Sequence, residues 1–484
     1  MTDKLDLSLL ATGVPGLDTI LGGGLPELSF NIIGGPPGSG KTTVAQQIMF
    51  SLAKPSAKAL FFTALGEPAV KMLRYQQQFS FFNFDKVGGA VKFISLANEA
   101  LDGNYDTVLN QIKKEVETHK PAYVFIDSFR SFIQGAKGAQ QEVYVLQLFI
   151  QQLVVHMTSW QATTFLIGEY EMSETDKNPI FTVADGILWL SQNVHRNSMV
   201  RKIQVLKMRG QEQRPGLHTL RISRAGIEIF PRAVGGPELL GQGRAACATE
   251  RVSVGVPMLD EMLGGGLPTG YSMLLVGPSG SGKTMLAIEF LAAAVRQQET
   301  AVLALFERTP HQVMSDKLDA MVRSGEVALL NMRALDLSID ETLQALVRMV
   351  DQLGATRVVL DSLSGFELSL APEFREDFRE SLYRMITVLN DKGVTLLMTT
   401  ELEDRYGELR FSPYGSAFLV DAIVMQRFIE TEGQLKTVIS VVKVRGSAHS
   451  RDLRQFDIGA QGIVIGDAPV PYAGVLTGSP RSST

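Results

Sequence analysis

Cysteine is nearly absent. Cys247 is the single one in 484 residues, which excludes an internal disulfide framework and suits a reducing compartment. Long apolar runs are lacking too: no stretch approaches the roughly 18 residues that a membrane helix needs. The opening "MTDKLDLSLL" lacks the apolar centre of a signal peptide. Nor is there an excess of positive charge, since 46 Lys and Arg stand against 51 Asp and Glu, a net charge of −5. That balance gives no support to broad binding of nucleic acid or anionic membrane. The one local concentration of cations (Arg196, Arg201, Lys202, Lys207, Arg209 and Arg214) carries no interleaved aromatics of the kind a single-strand-binding surface uses. A soluble, cytoplasmic protein without membrane or nucleic-acid partners is expected. A chain of this length also exceeds what one hydrophobic core organises, so two or more domains are expected.

What is present is a duplication. Residues 13–42, "GVPGLDTILGGGLPELSFNIIGGPPGSGKT", align without a gap on residues 255–284, "GVPMLDEMLGGGLPTGYSMLLVGPSGSGKT", with 18 of 30 positions identical. A domain-sized repeat means two homologous domains in tandem. The boundaries expected are a first domain over 1–232, a Gly- and Pro-bearing linker over 233–250, a second domain over 251–466 and a loosely held tail over 467–484. Within each copy, short apolar runs alternate with helical patterns; in the first they are "LSFNIIG", "ALFFTA", "AVKFISL", "AYVFIDS", "TTFLIGE" and "ILWLSQ". This alternation predicts an α/β fold with a mostly parallel central sheet flanked by helices. The closing stretches "RKIQVLKMRG", "HTLRISRAGIEIF", "KTVISVVKVRG" and "QFDIGAQGIVI" predict antiparallel hairpins added to that sheet.

"GPPGSGKT" (35–42) and "GPSGSGKT" (277–284) both satisfy the phosphate-loop pattern between a strand and a helix. Glycines let successive backbone N–H groups turn onto phosphate oxygens, and the helix N-terminus adds its dipole. The candidate ATP contacts are Gly38, Ser39, Gly40, Lys41, Thr42 and Thr43, and Gly280, Ser281, Gly282, Lys283, Thr284 and Met285. Lys41 and Lys283 would reach the β- and γ-phosphates, and Thr42 and Thr284 would hold Mg²⁺. A second acid is needed for the metal's water shell. "AYVFIDS" ends its apolar run at Asp127 and "TRVVLDS" at Asp361, at the ligand-binding edge of such a sheet. A carboxylate capping the following helix is the plainer alternative for either one.

Together the "GVPxLDxxLGGGLP" lead-in, the loop, the "DS" acid and a closing "K-x-R-G", all in duplicate, resemble RecA-superfamily ATPases of the KaiC type over almost the whole chain. The resemblance implies a ring homo-oligomer, a hexamer, with ATP between neighbouring subunits. It implies slow ATP hydrolysis and, in the clock members, Ser/Thr autophosphorylation in the second domain. It also implies that an acid at the end of the strand after the loop helix polarises the attacking water or hydroxyl. In "LFERTP" that acid is Glu307, while Arg308 replaces the usual second one. In the first copy "TALGEP" has Leu65 and Gly66 there, and Glu67 is displaced by two positions, about 6–7 Å on a strand.

Lys207 and Arg209, like Lys443 and Arg445, are two apart, so on a strand both cations of a pair face one way. By resemblance each pair serves the γ-phosphate of a neighbouring subunit, and His449 completes the second-copy set, where the first copy has Gln213. Glu307, Lys283, Lys443, Arg445 and His449 are therefore the expected catalytic residues. At the places matching the clock members' phosphoacceptors, "SAFLVD" has Ala417 and Phe418, neither able to accept phosphate, with Ser416 adjacent as the alternative if the match slips by one. Hydrolysis chiefly in the second domain, with the first binding ATP for assembly and a signalling partner not specified, is the leading expectation. A Ser/Thr autokinase and a DNA-acting recombinase or helicase relative are the alternatives; γ-labelled ATP separates the first of these from a hydrolase, and salt-dependent binding of single-stranded DNA would favour the second.

Overall fold

A computed structural model of the chain describes residues 8–63, 69–97, 105–128, 149, 151–153, 155–157, 159–175, 178–195, 198–232, 250–306, 313–332, 338–375, 378–405, 408–410, 418–431, 433–459, 462–473 and 481–482. The chain divides into two compact units, Met1–Arg232 and Ala233–Thr484. Among the described residues no helix is long and apolar enough to cross a membrane.

In the first unit the strands are β1 (Phe30–Gly35), β2 (Ala59–Thr63), β3 (Val91–Ser95), β4 (Tyr123–Asp127), β5 (Thr163–Glu169), β6 (Gly186–His195), β7 (Ser198–Met208), β8 (His218–Ser223) and β9 (Gly226–Phe230). They form one sheet in the order β9-β8-β7-β6-β1-β5-β4-β2-β3. From β6 to β3 the pairings are parallel, and β6 to β9 form antiparallel hairpins. The parallel strands are apolar on both sides because helices cover both faces. Phe61, Phe125 and Phe165 pack into one core, with the rings of Phe125 and Phe165 stacked 4.5 Å apart. Their neighbours Leu60, Phe62, Val124 and Ile126 pack into the core on the other face.

The second unit repeats this order with β10 (Ser272–Gly277), β11 (Ala301–Leu305), β12 (Val327–Asn331), β13 (Arg357–Asp361), β14 (Thr395–Glu401), β15 (Ala422–Thr431), β16 (Gln434–Val444), β17 (Leu453–Gly459) and β18 (Gly462–Pro469), arranged β18-β17-β16-β15-β10-β14-β13-β11-β12. The expected α/β class, the mostly parallel sheet and the added hairpins are all present, twice. Within the stretch expected as a tail, β18 runs on to Pro469 and Tyr472–Ala473 pairs with Arg481–Ser482. Each lead-in is held by an aspartate: Asp18 accepts from Thr12 N at 3.0 Å, and Asp260 from Val254 N at 2.7 Å.

The backbone is kept at one place where the residue type is not. Leu28 adopts φ +62°, where Gly270, its counterpart, has φ +76°. A leucine there carries the steric cost of the left-handed region, which glycine escapes.

Candidate active site

Each phosphate loop leaves the end of the central strand, β1 or β10, and enters a helix: α1 (Lys41–Leu52) in the first unit, α2 (Lys283–Arg296) in the second. The N-cap residues Gly40 and Gly282 have φ +103° and +94°, and no side chain caps either helix. The first-turn N–H groups therefore have no side-chain acceptor, which leaves them for an anion. Lys41 is buried, 7% exposed, and donates to Pro36 O at 2.7 Å. Burial pushes its ammonium below the ordinary lysine range, against which Glu169 and Asp127 work by charge. Lys283 donates to Gly277 O and Pro278 O, 2.8 Å each.

The structure brings the expected metal ligands together in both units. Thr42 Oγ1 donates to Asp127 Oδ2 at 2.6 Å, and Thr284 Oγ1 to Asp361 Oδ2 at 2.9 Å. Parallel pairing produces this contact: the end of the acid's strand is carried beside the start of the loop helix, although 85 or 77 residues separate the partners. A hydroxyl and a carboxylate oxygen are hard donors that suit Mg²⁺, which takes few protein ligands and fills its octahedron with water and phosphate. Among the described residues no group of three or more His, Cys, Asp or Glu is placed to hold a metal by itself. Thr43 follows Thr42 in α1, and Met285, with Lys283, Thr284 and Asp361, lines a cavity over the second loop.

Two carboxylates escaped the sequence reading. Glu169 ends β5 opposite Gly35, and Glu401 ends β14 opposite Gly277, so each stands beside its loop. Glu401 lines the second-unit cavity. Their signal was available, because "TTFLIGE" and "TLLMTTE" both end an apolar run in Glu at matching places. Thr399 was also missed: its hydroxyl donates to Asp361 Oδ1 at 2.5 Å, and the first unit has Ile167 there.

The cation pairs stand at the opposite edge of each sheet. Lys207 is paired with Ile187, which is level with Ile32; Lys443 is paired with Ile423, level with Leu274. Each lysine thus lies about 10 Å before the end of its own loop strand, at roughly 3.3 Å per residue. Lys207 donates to Thr182 O at 2.9 Å and Lys443 to Val420 O at 2.8 Å. Arg209 bonds Asp185, and Arg445 lies 3.5 Å from Asp421, which in turn accepts from Ser272 N at the start of β10. Burial first, then the neighbouring arginine, lowers both lysines' affinity for their proton. His449 Nδ1 lies 3.4 Å from Ser447 O, and its shielded Nε2 has no hydrogen-bond partner among the described residues; Gln213 Oε1 is in the same position in the first unit.

Glu307 and Arg308, with Leu65, Gly66 and Glu67, lie outside the described residues, as do Arg196, Ser416 and Ala417. Phe306, just before Glu307, donates its N–H to Asp361 O at 3.4 Å. Phe418 is 47% exposed, with the Arg379 guanidinium 4.1 Å from its ring centroid. Arg201, from the basic cluster, donates to Gly38 O at 3.3 Å. Arg201 and Lys207 are thus drawn to opposite ends of β7.

Comparison with known proteins agrees with this geometry. The family model described as "ATPase: KaiC" matches residues 10–234 and again 252–470. The chain is 26% identical over 496 residues to the circadian clock oscillator protein KaiC of Rippkaea orientalis, covering 98% of this chain and 92% of that one. It is 26% identical over 487 residues to KaiC 1 of a Synechocystis species, covering 97% and 91%. To KaiC of Thermostichus vulcanus it is 24% identical over 491 residues, covering 98% and 92%. With two loops, two Thr–Asp pairs and two far-edge cation pairs falling inside the two matched segments, the chain belongs to the KaiC ATPase family.

Proposed function

We propose that this chain is a ring-forming, Mg²⁺-dependent ATPase whose second unit hydrolyses ATP and whose first unit chiefly binds it to hold the assembly. The observation that carries the reading is the separation of each site into two halves at opposite edges of one sheet. The loop with its Thr–Asp pair stands at one edge and the Lys–Arg pair at the other. Neither half of a unit can complete the other, so a neighbouring copy is required, and a closed ring, a hexamer by family likeness, satisfies every copy.

In the second unit the backbone of Gly280, Ser281 and Gly282 cradles the phosphates and Lys283 binds them. Thr284 and Asp361 would hold Mg²⁺, which neutralises charge on the phosphate oxygens when bound; Thr399 fixes the carboxylate's rotation. Glu307 orients the attacking water and receives its proton. Lys443 and Arg445 from the adjacent copy, with His449 beside them, meet the charge that builds on the transferring phosphoryl group. The first unit keeps Gly38–Thr43, Asp127, Lys207 and Arg209 but has Leu65 and Gly66 in place of the acid and Gln213 in place of the histidine. It therefore retains a binding site without the acid at that place. Nucleotide at a subunit interface stabilises the assembly by mass action.

The relatives are clock oscillator proteins; a cytoplasmic regulatory or signalling role is the corresponding proposal here. Phe418 cannot accept phosphate, which favours hydrolysis over autophosphorylation at that place. Native mass and phosphate release of Lys41→Ala and Lys283→Ala test the division of labour. Lys41→Ala should lose mass at limiting ATP, and Lys283→Ala should lose turnover while still assembling. Full mass in Lys41→Ala together with lost turnover would reverse the assignment.

A further inference from the structure

Beneath the second phosphate loop lies a buried amide that the reaction above does not use. Gln426, in β15, is fully buried, and its Oε1 accepts from Ser281 Oγ of the loop at 3.0 Å. Its Nε2, equally enclosed, has no hydrogen-bond partner among the described residues. Turning the amide over does not help, because one of its two polar atoms is left over either way. A buried donor without a partner costs free energy that an apolar residue of similar size would not. The first unit has that apolar residue. Trp189 and Met425 occupy equivalent registers beside the loop strands, so the next positions, Leu190 and Gln426, correspond. Over Leu190 the loop hydroxyl of Ser39 is buried and unpartnered. The fold thus accommodates leucine here, and glutamine is retained in the unit assigned to hydrolysis despite a half-satisfied amide.

The side chain's neighbours suggest what it is for. A Cβ built on Gly277 would lie 3.0 Å from Gln426 Cβ, so the base of the glutamine side chain sits directly under the loop's first residue. Gly277 O and Pro278 O are the two carbonyls that Lys283 Nζ engages. A triphosphate competes for that ammonium; each carbonyl keeps a backbone donor, Leu402 N to Gly277 O at 3.1 Å and Ser281 N to Pro278 O at 3.3 Å, and the lone pair the lysine vacates becomes an acceptor for an unpartnered N–H. We propose that Gln426 is a positioning residue that holds the second phosphate loop in its nucleotide-bound form: it bonds Ser281 on one side and donates its spare N–H to a loop carbonyl that Lys283 releases. Leu190 denies the first loop this brace. The inference rests on the reading that the second loop binds ATP.

Hydrogen exchange of the full-length chain, with and without the non-hydrolysable imido analogue of ATP and Mg²⁺, tests it, because peptides over 277–285 and 35–43 report the two loops separately. Gln426→Leu, the first unit's own residue, and Gln426→Met, which keeps the side chain's length, should each cut analogue-induced protection at 277–285. One lost hydrogen bond corresponds to about fivefold. Protection at 35–43 should not change, and analogue-free exchange at 277–285, which loses only the Ser281 bond, should quicken by a smaller factor than exchange with the analogue. Undiminished protection in both variants overturns the proposal. So does exchange that is faster by the same factor with and without the analogue, which is the signature of structural support alone. If the wild type gains no protection at 277–285, it is the ATP reading of the second unit that falls.

Discussion

Alanine at Gly280 and at Gly282 separates two demands on the second phosphate loop. Both glycines are left-handed, at φ +80° and +94°, a conformation that costs an L side chain about 1–2 kcal/mol. At Gly280 this is the whole cost, because an added Cβ meets nothing within 4 Å. At Gly282 an added Cβ would collide with Ile458 Cδ1, so the β17 side chain must also move. Unliganded, the loop can relax away from that conformation; wrapped on a phosphate it cannot. The cost therefore falls on nucleotide affinity. Gly280→Ala should weaken ATP binding by the second unit roughly 5- to 30-fold. Gly282→Ala should weaken it about threefold to tenfold more, the cost of forcing one side chain off its rotamer. Ile458 is 43% exposed and lines the cavity over the loop, so with Ile458→Ala alone as the reference, Ile458→Ala in the Gly282→Ala background should remove that second increment in a double-mutant cycle. Titration with a fluorescent ATP analogue, run beside Lys41→Ala chains to assign the first-unit signal, reads all five affinities. Wild-type binding by Gly280→Ala would refute the claim that the phosphate selects the left-handed loop. Failure of Ile458→Ala to couple with Gly282→Ala would refute the packing argument.

Three further outcomes follow from the same geometry. Leu28→Gly should stabilise the first unit by about 0.5–1 kcal/mol, the relieved left-handed strain less glycine's entropy; Gly270→Leu should destabilise the second, both read by chemical denaturation. Lys443 has its proton affinity lowered by burial and by Arg445. Its charge is therefore lost at a lower pH than that of an ordinary lysine; on the proposed role in transition-state stabilisation, kcat should fall as pH rises through the window below 10.5. Lys443→Arg, which stays charged, should move that fall to higher pH. Asp361→Asn should raise the Mg²⁺ concentration for half-maximal turnover about tenfold or more, whereas Asp127→Asn should alter native mass and leave that Mg²⁺ requirement unchanged.

The phosphate loops were legible in the sequence because a phosphate cradle is built from contiguous residues, and a strand before with a helix after are written beside it. Asp127 and Asp361 could be placed because each ends an apolar run in a repeated "DS". The sheet was legible for a related reason: strands buried on both faces read as unbroken apolar stretches. Glu401, Thr399 and Gln426 were not legible as site residues. Each reaches the loop region through strand pairing or through a contact with a residue 38 or 145 positions away, and no local pattern records that neighbour. The cation pairs show both sides of this. Their spacing fixed a common face, but only the register of β16 on β15 and of β15 on β10 puts them at the edge away from their own loop.

The central claim is that catalysis is concentrated where Glu307 stands and is missing where Leu65 and Gly66 replace its equivalent. Steady-state phosphate release by Glu307→Gln, at matched native mass, tests it most directly. The account predicts loss of most turnover with assembly intact, a fall of about 10²-fold or more for removal of a general base. Near-normal phosphate release from Glu307→Gln would contradict it, and would move the chemistry to the first unit or to another base.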